Sequence, residues 1–493
     1  MPKKIPIFYS ALLLTGVNLL LRLVGTSFQV YISSRLGPAG VGLLQLVLSV
    51  GSLALVAGIA GIRTAAMYLT AEELGRKQEG NVTWVLSGCF LYSILCSSVA
   101  GTVLYIAAPW IAEYWLGDGR TLDALRLLAA FLPVTCLCGV MTGYFTAANR
   151  IGTLAAVEVA EQLCSMFLTL TALKAWGGTD PGRACLCVVL GSSLGACVTL
   201  LSLVLLRLHQ RSIPGKPIPV ARRLIDTALP LGASDVLKAG INTTENLMVP
   251  KRLALCSLVE NPLAAFGLVS GMVFPVIMFP ACILFGLAEL LIPELARCAA
   301  AGSEERIHYL VRKSLRIALL YGVFFSGGIV LLAEPICIRL YGNTEACRFM
   351  QLYGILIPML YCDAITDAMT KGLGQQRACV RYNILTSALD VILLYLMLPN
   401  YGMMGYFVSF VLTHLLNFLL SLRRLLTLTG LKLPFHSPAL TLAAAVASVW
   451  GVSGFSSPGL RIVGYTALLG SLLYLLQVIS KEDLRWVKGL VIR

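Results

Sequence analysis

Two cations stand in surroundings where a fixed charge is expensive: Arg22, near the middle of the first apolar run, and Lys238, near the middle of a later one. A lone ion at the centre of a bilayer costs about 2.5–3.5 kcal/mol on insertion scales, so such residues face a bundle interior or a wet cavity. Arginine offers a bidentate fork and lysine a point charge, and a diphosphate is an anion suited to both. Arg63, behind Gly58 and Gly61, lies toward the far end of the second run, where it either draws an anionic headgroup inward or snorkels to the interface. Arg35 occupies the opposite mouth beside Gly37-Pro38, as a binding cation or a turn-capping one. Carboxylates also occur at depth. Asp363 and Asp367 are one helical turn apart and repel unless a cation or proton sits between them. Asp235 and Asp390 are candidates for ion pairs, with Lys238 and Arg381 respectively, and Glu245 is a further partner for Lys238.

The elements that hold these residues follow from composition. Of 493 residues, 58% are hydrophobic and 13% charged, against about 25% charged in a soluble domain. Runs such as Phe8 to Leu21 and Ile317 to Leu332 are apolar on every face, and with no beta-barrel alternation only helices can span the lipid. A bilayer core about 30 Å thick needs about twenty residues of helix, and the apolar runs give about fourteen such spans, including 8–34, 41–69, 264–292, 349–369, 380–398 and 403–426. The first run is longer than the roughly 7–15-residue apolar part of a cleaved signal and reads as a retained helix. With the N-terminus in the cytoplasm, 25 Lys+Arg fall on that side and 10 on the other. The positive-inside rule then places both termini in the cytoplasm. The net charge of +14 is accordingly a topology and lipid-headgroup signal rather than a nucleic-acid one. The fifteen cysteines lie mostly in apolar runs and read as small hydrophobes.

The chain also repeats itself. Arg35-Leu36 recurs as Arg252-Leu253, Glu73-Leu74-Gly75-Arg76 as Glu294-Leu295-Ala296-Arg297, and Pro133 as Pro358, at slowly growing offsets. A duplicated six-helix unit predicts lobes at 1–221 and 222–432 pointing the same way, with two further helices in 433–493 and a cavity between the lobes. Arg22 and Lys238 then occupy matched first helices.

The segments Leu21-Arg22-Leu23-Val24-Gly25, Ser34-Arg35-Leu36-Gly37-Pro38-Ala39-Gly40-Val41-Gly42-Leu43-Leu44, Ala71-Glu72-Glu73-Leu74, Gly143-Tyr144-Phe145, Glu161-Gln162 and Gly372-Leu373-Gly374-Gln375 resemble the multidrug/oligosaccharidyl-lipid/polysaccharide exporter superfamily. Within it they resemble the polysaccharide-biosynthesis branch that includes stage V sporulation protein B. The resemblance covers roughly residues 5–430. It implies an all-α integral membrane fold of two six-helix lobes in a V, alternating access, and flipping of polyprenyl-diphosphate-linked saccharides in a bacterial cell membrane, in contact with membrane lipids and cell-wall synthesis proteins. It also implies a coupling-ion site for sodium or protons near Asp235 and Asp390. Phe28 and Ser165 stand where lipid II flippases and this branch, respectively, often carry arginine.

Other functional classes fit less well. An organic-cation antiporter of the same architecture would favour an acidic first-lobe pocket, whereas the first helix offers Arg22 and no carboxylate. A membrane glycosyltransferase or polymerase would need a sizeable external loop or a metal-binding acidic motif; no loop is long enough, and His209, His308, His414 and His436 stand alone. A scaffold in an envelope or sporulation complex would leave the buried charges without a purpose.

Overall fold

In the computed structural model the described residues are 7–76, 78–148, 150–177, 180–209, 220–431 and 436–478. Both termini and most of the basic connection before Arg222 lie outside them. Every regular element among the described residues is helical: α1 (Ile7–Ile59), α2 (Ile62–Gly75), α3 (Glu79–Trp110), α4 (Leu122–Ala147), α5 (Ile151–Ala172), α6 (Pro181–Leu208), α7 (Ala221–Leu253), α8 (Pro262–Gly267), α9 (Phe274–Met278), α10 (Ala281–Ala300), α11 (Glu304–Tyr341), α12 (Glu345–Gly354), α13 (Ile357–Gly372), α14 (Gln376–Thr429), α15 (His436–Val452) and α16 (Pro458–Leu475). In lipid a helix satisfies its own backbone groups, which is why runs apolar on all faces adopt it.

Where spans break is set by glycine and proline. α1 and α14 contain 53 and 54 residues, about 80 Å at 1.5 Å per residue, more than twice a bilayer core. Each is two spans joined at one glycine: Gly37 (φ 69, ψ 174) before Pro38, and Gly402 (φ 56, ψ −136) after Pro399. These conformations are closed to side chains bearing a Cβ. The runs expected as single helices near 264–292 and 349–369 are instead bent, by 65° between α9 and α10 and by 51° between α12 and α13. Pro280 caps α10, and Pro358 occupies the first turn of α13, where its missing N–H costs nothing. Pro133, its repeat mate, lies inside an unbroken α4. Among the described residues eight continuous helical runs have the length and composition of a span, or ten if each bent pair is one span. The expected fourteen counts each kinked helix twice and adds α7 and the 17-residue α15.

Packing divides the chain into two compact units: 1–271 with 394–403, and 272–393 with 404–493. The first unit extends past the boundary expected near 221 because α7 and α8 pack on α1. In the first unit Gly42 of α1 and Gly267 of α8 cross so closely that a Cβ on either would overlap the other segment's backbone. Ser33 Oγ donates to the Gly271 carbonyl at 3.0 Å, Thr243 Oγ1 to the Ser49 carbonyl at 3.1 Å, and Asn246 Nδ2 to Ser49 Oγ at 3.0 Å. Helices in lipid gain nothing from trading one apolar neighbour for another, so small residues and interhelical hydrogen bonds carry such contacts. Leu69, Val85, Met141, Phe145, Leu203 and Leu224 form part of its core. Arg252, the repeat mate of Arg35, lies over the Tyr395 ring at 3.7 Å and donates to its carbonyl at 2.7 Å.

The second unit is built on α11, which packs against α10, α12, α13, α15 and α16. Tyr465 of α16 is fully buried, its ring against Gly327 and its hydroxyl donating to the Val323 carbonyl at 2.8 Å. The last two helices, α15 and α16, are therefore fixed to α11. All fifteen cysteines are unpaired and buried or half-buried, as expected of small hydrophobes.

Candidate substrate and ion sites

Arg22, Arg35, Arg63, Asp235 and Lys238 all lie in the first unit, and Asp390 in the second. Arg22 is exposed on the first limb of α1, one turn from Gly25, which faces Gln162 of α5. Arg35 is exposed and sits over the Tyr31 ring at 5.6 Å, the same cation–aromatic arrangement that its repeat mate makes.

Arg63 follows a break. Ala60 (φ 41) and Gly61 (φ 74) interrupt the helical path, and α2 starts anew with no side chain capping its first N–H groups. Arg63 is thus an exposed guanidinium in the first turn of a helix, adding its charge to the positive end of the helix dipole. Glu158 of α5 is its electrostatic neighbour, but no carboxylate among the described residues comes within ion-pair distance of it. The Ala60–Gly61 break packs against Ala228 and Gly232 of α7. Lys238 lies six residues further along α7, about 9 Å, and before the Thr243–Ser49 tie. It is half-buried and makes no ion pair among the described residues, although Asp235 is one turn away and exposed.

A different arginine closes an ion-pair network. Arg223, in the first turn of α7, donates to Glu72 Oε2 at 2.6 Å and to Glu73 Oε1 at 3.0 Å. The Glu73 side chain is 1% exposed and also accepts from Asn81 Nδ2 at 3.0 Å, while Arg76 holds Glu72 at 2.6 Å. The motif Glu72-Glu73-Leu74 was visible in sequence, but its partner lies 150 residues away in a basic stretch read only as a topology signal. At another connection Arg120 binds both Asp118, at 2.6 Å, and Asp180, at 2.9 Å. Its hydrogen bonds and charge hold the Asp118 carboxyl below its usual range.

In the second unit Asp390 is 5% exposed and accepts from Ser409 Oγ at 2.6 Å and Thr413 Oγ1 at 3.1 Å. No ion pair with Arg381 forms among the described residues. Asp390, on the first limb of α14, is thus a buried carboxylate held by two hydroxyls of the second limb, all three groups being oxygens, the donor type that hard cations take. Ser409 and Thr413 are spaced four apart, a helical-face signal for a polar pair that is present in the sequence.

Charges set inside spans, helices broken at glycine and proline, and an all-α fold with no sizeable extramembrane domain among the described residues together define a multi-pass membrane transporter. Two family models tile the chain: "Polysaccharide biosynthesis protein" over residues 8–251 and "MatE" over 252–396. Stage V sporulation protein B of Bacillus subtilis (strain 168) is 21% identical over 499 residues, covering 96% of each chain. Two solved structures share the fold at a TM-score of 0.69. One is an inward-facing multidrug resistance MATE family transporter (14% identity, 85% of this chain, 100% of that one). The other is the lipid II flippase MurJ in an inward closed conformation (12% identity, 94% and 98%). The chain belongs to the multidrug/oligosaccharidyl-lipid/polysaccharide exporter superfamily.

Proposed function

We propose that this transporter flips a polyprenyl-diphosphate-linked saccharide from the cytoplasmic to the outer leaflet of the bacterial cell membrane, with both of its termini in the cytoplasm. The observation that carries this reading is the pair of cations without ion-pair partners among the described residues, Lys238 midway along α7 and Arg63 at the uncapped start of α2. An anion with two or more charges fits them, whereas an organic cation would be repelled. Arg22 adds a bidentate donor and Arg35 a cation at the opposite mouth. The lipid tail stays in the bilayer, and membrane lipids and cell-wall synthesis proteins are the surroundings in which the substrate is delivered and used. Similarity to stage V sporulation protein B and the fold shared with MurJ support a lipid-linked substrate; the fold shared with MATE transporters supports drug export, which the cations disfavour.

Outward movement of a negative headgroup is aided by a negative cell interior, at about 2.3 kcal/mol per charge per 100 mV. An imported sodium ion or proton at Asp390 biases the second unit between states to the extent of its differential affinity, and Asp235, in the first unit, is a separate exposed carboxylate. Flipping in sealed proteoliposomes tests the reading. Arg22→Ala and Lys238→Ala are expected to abolish flipping while expression and membrane insertion persist, and Arg22→Lys to retain part of it. Normal flipping by either alanine variant would refute the cation-lined site. A collapsed potential slows flipping on this reading, and unchanged rates would remove the proposed driving force.

A further inference from the structure

Where α3 ends and α4 begins, within the 1–271/394–403 unit, a cation stands that no described group answers. Arg126, in the second turn of α4, is half-buried and lies over the Tyr105 ring of α3 at 5.3 Å. Its Nε is buried with no hydrogen-bond partner, whereas its two terminal nitrogens stay accessible. No carboxylate among the described residues pairs with it: Asp118 and Asp180 are both held by Arg120, and Asp123, one turn earlier on α4, is exposed and forms no ion pair with it. The side chain therefore lies sideways across α3, held by an aromatic face.

Its surroundings are those of a surface facing lipid. Leu95, Val99, Val103 and Ile106, at spacings of four, four and three, share one face of α3, and each is more than half exposed. Tyr105, also exposed, borders that face. Further along, Trp110 and Tyr114 are exposed, and the Trp110 ring packs on Trp115 at 5.0 Å. Tryptophan and tyrosine gather at the membrane–water interface, and Trp110 is five residues past Tyr105, about 7.5 Å along the helix. Arg126 thus lies just inside the interface, level with lipid phosphate and ester groups. Its open nitrogens present the parallel fork that two phosphate oxygens match, and its charge has no answer within the described chain. We propose that Arg126 and the exposed face of α3 bind one glycerophospholipid, the phosphate on the Arg126 fork and an acyl chain along Val103, Val99 and Leu95. Such a lipid supplies the missing anion and covers the apolar stripe at once. The site is separate from the cations assigned to the cargo.

The experiment follows the apparent Tm of the purified full chain in detergent during titration with dioleoyl phosphatidylglycerol, with the diacylglycerol of the same chains, and with inorganic phosphate. The phospholipid is expected to raise the Tm saturably, and neither of the other two to reproduce the rise. Arg126→Gln should move the midpoint about tenfold higher, the loss expected for a hydrogen-bonded charge. Arg183→Gln, which alters an exposed arginine at the start of α6 in the same unit, should leave it in place. If Arg126→Gln does not yield folded protein, Arg126→Lys, which keeps the charge and loses the fork, decides by a midpoint displaced the same way. A wild-type midpoint in the Arg126 variants would overturn the site, as would an equal displacement by Arg183→Gln, which would assign the effect to surface charge at large. An equal rise with diacylglycerol would overturn it in favour of acyl packing alone, and a rise with inorganic phosphate alone in favour of a free-anion site.

Discussion

Replacing Arg223 with alanine removes the only guanidinium that touches both Glu72 and Glu73 among the described residues, and its cost can be bounded from the burial of each partner. The Arg223 side chain is 36% exposed and Glu72 26%, so that arm is screened, and exposed pairs contribute about 0.2–1 kcal/mol. Glu73 is 1% exposed, and breaking a fully buried pair costs about 3–5 kcal/mol because a charge is left alone. Here Asn81 still donates to Glu73 at 3.0 Å, so the loss lies between these limits, at about 2 kcal/mol. Glu73→Gln should then rescue part of the Arg223→Ala defect, since it removes the orphaned charge. A double-mutant cycle in reversible mixed-micelle unfolding should return a coupling of about 1–2 kcal/mol. Additivity to within about 0.5 kcal/mol would refute the argument that a buried carboxylate, rather than surface charge, gives this contact its weight.

Two further outcomes follow from other parts of the molecule. Gly267→Ala places a Cβ against the backbone of Pro38 and Gly42, atoms that cannot rotate away, and overpacking of this kind should cost about 1–3 kcal/mol; unfolding in the same micelle system checks it, and wild-type stability would show that α1 and α8 can separate freely there. Because Arg120 lowers the Asp118 carboxyl, this pair stabilises the chain above the ordinary carboxylate range near pH 4, and the contribution fades as pH falls through the lowered value. The acid limb of apparent Tm against pH should therefore flatten in Arg120→Gln, and an unchanged limb would contradict the assignment.

Much of this architecture is written in local chemistry. Twenty-residue apolar runs predict spans without reference to tertiary contacts, and Gly37-Pro38 and Pro399 with Gly402 announce the kinks. The bends before α10 and α13 were less legible, because Pro133 sits inside a straight helix while Pro358 follows a break, and only packing decides between them. For the candidate sites, Arg22, Lys238 and Asp390 stand out by being charged in apolar runs. What surrounds each did not. The Ser409 and Thr413 donors to Asp390, the Asn417 contact to Asp363 and the Arg223 clamp on Glu73 join residues 19 to 150 positions apart, and no sequence period encodes such pairs. The tie of α7 to α1 likewise joins segments on either side of the repeat boundary expected near 221, because packing depends on contacts that no local pattern announces.

The central claim, that an anionic lipid-linked saccharide and not an organic cation is the cargo, is tested most directly by sealed proteoliposomes of the full chain offered fluorescent lipid II, an undecaprenyl-diphosphate-linked oligosaccharide and a cationic dye in parallel, with the potential set by a potassium gradient. At least one diphosphate-linked substrate is expected to cross to the opposite leaflet faster than in protein-free vesicles, Lys238→Ala to abolish this gain, and the dye not to move. Transport of the dye with no movement of either lipid-linked saccharide would contradict this claim.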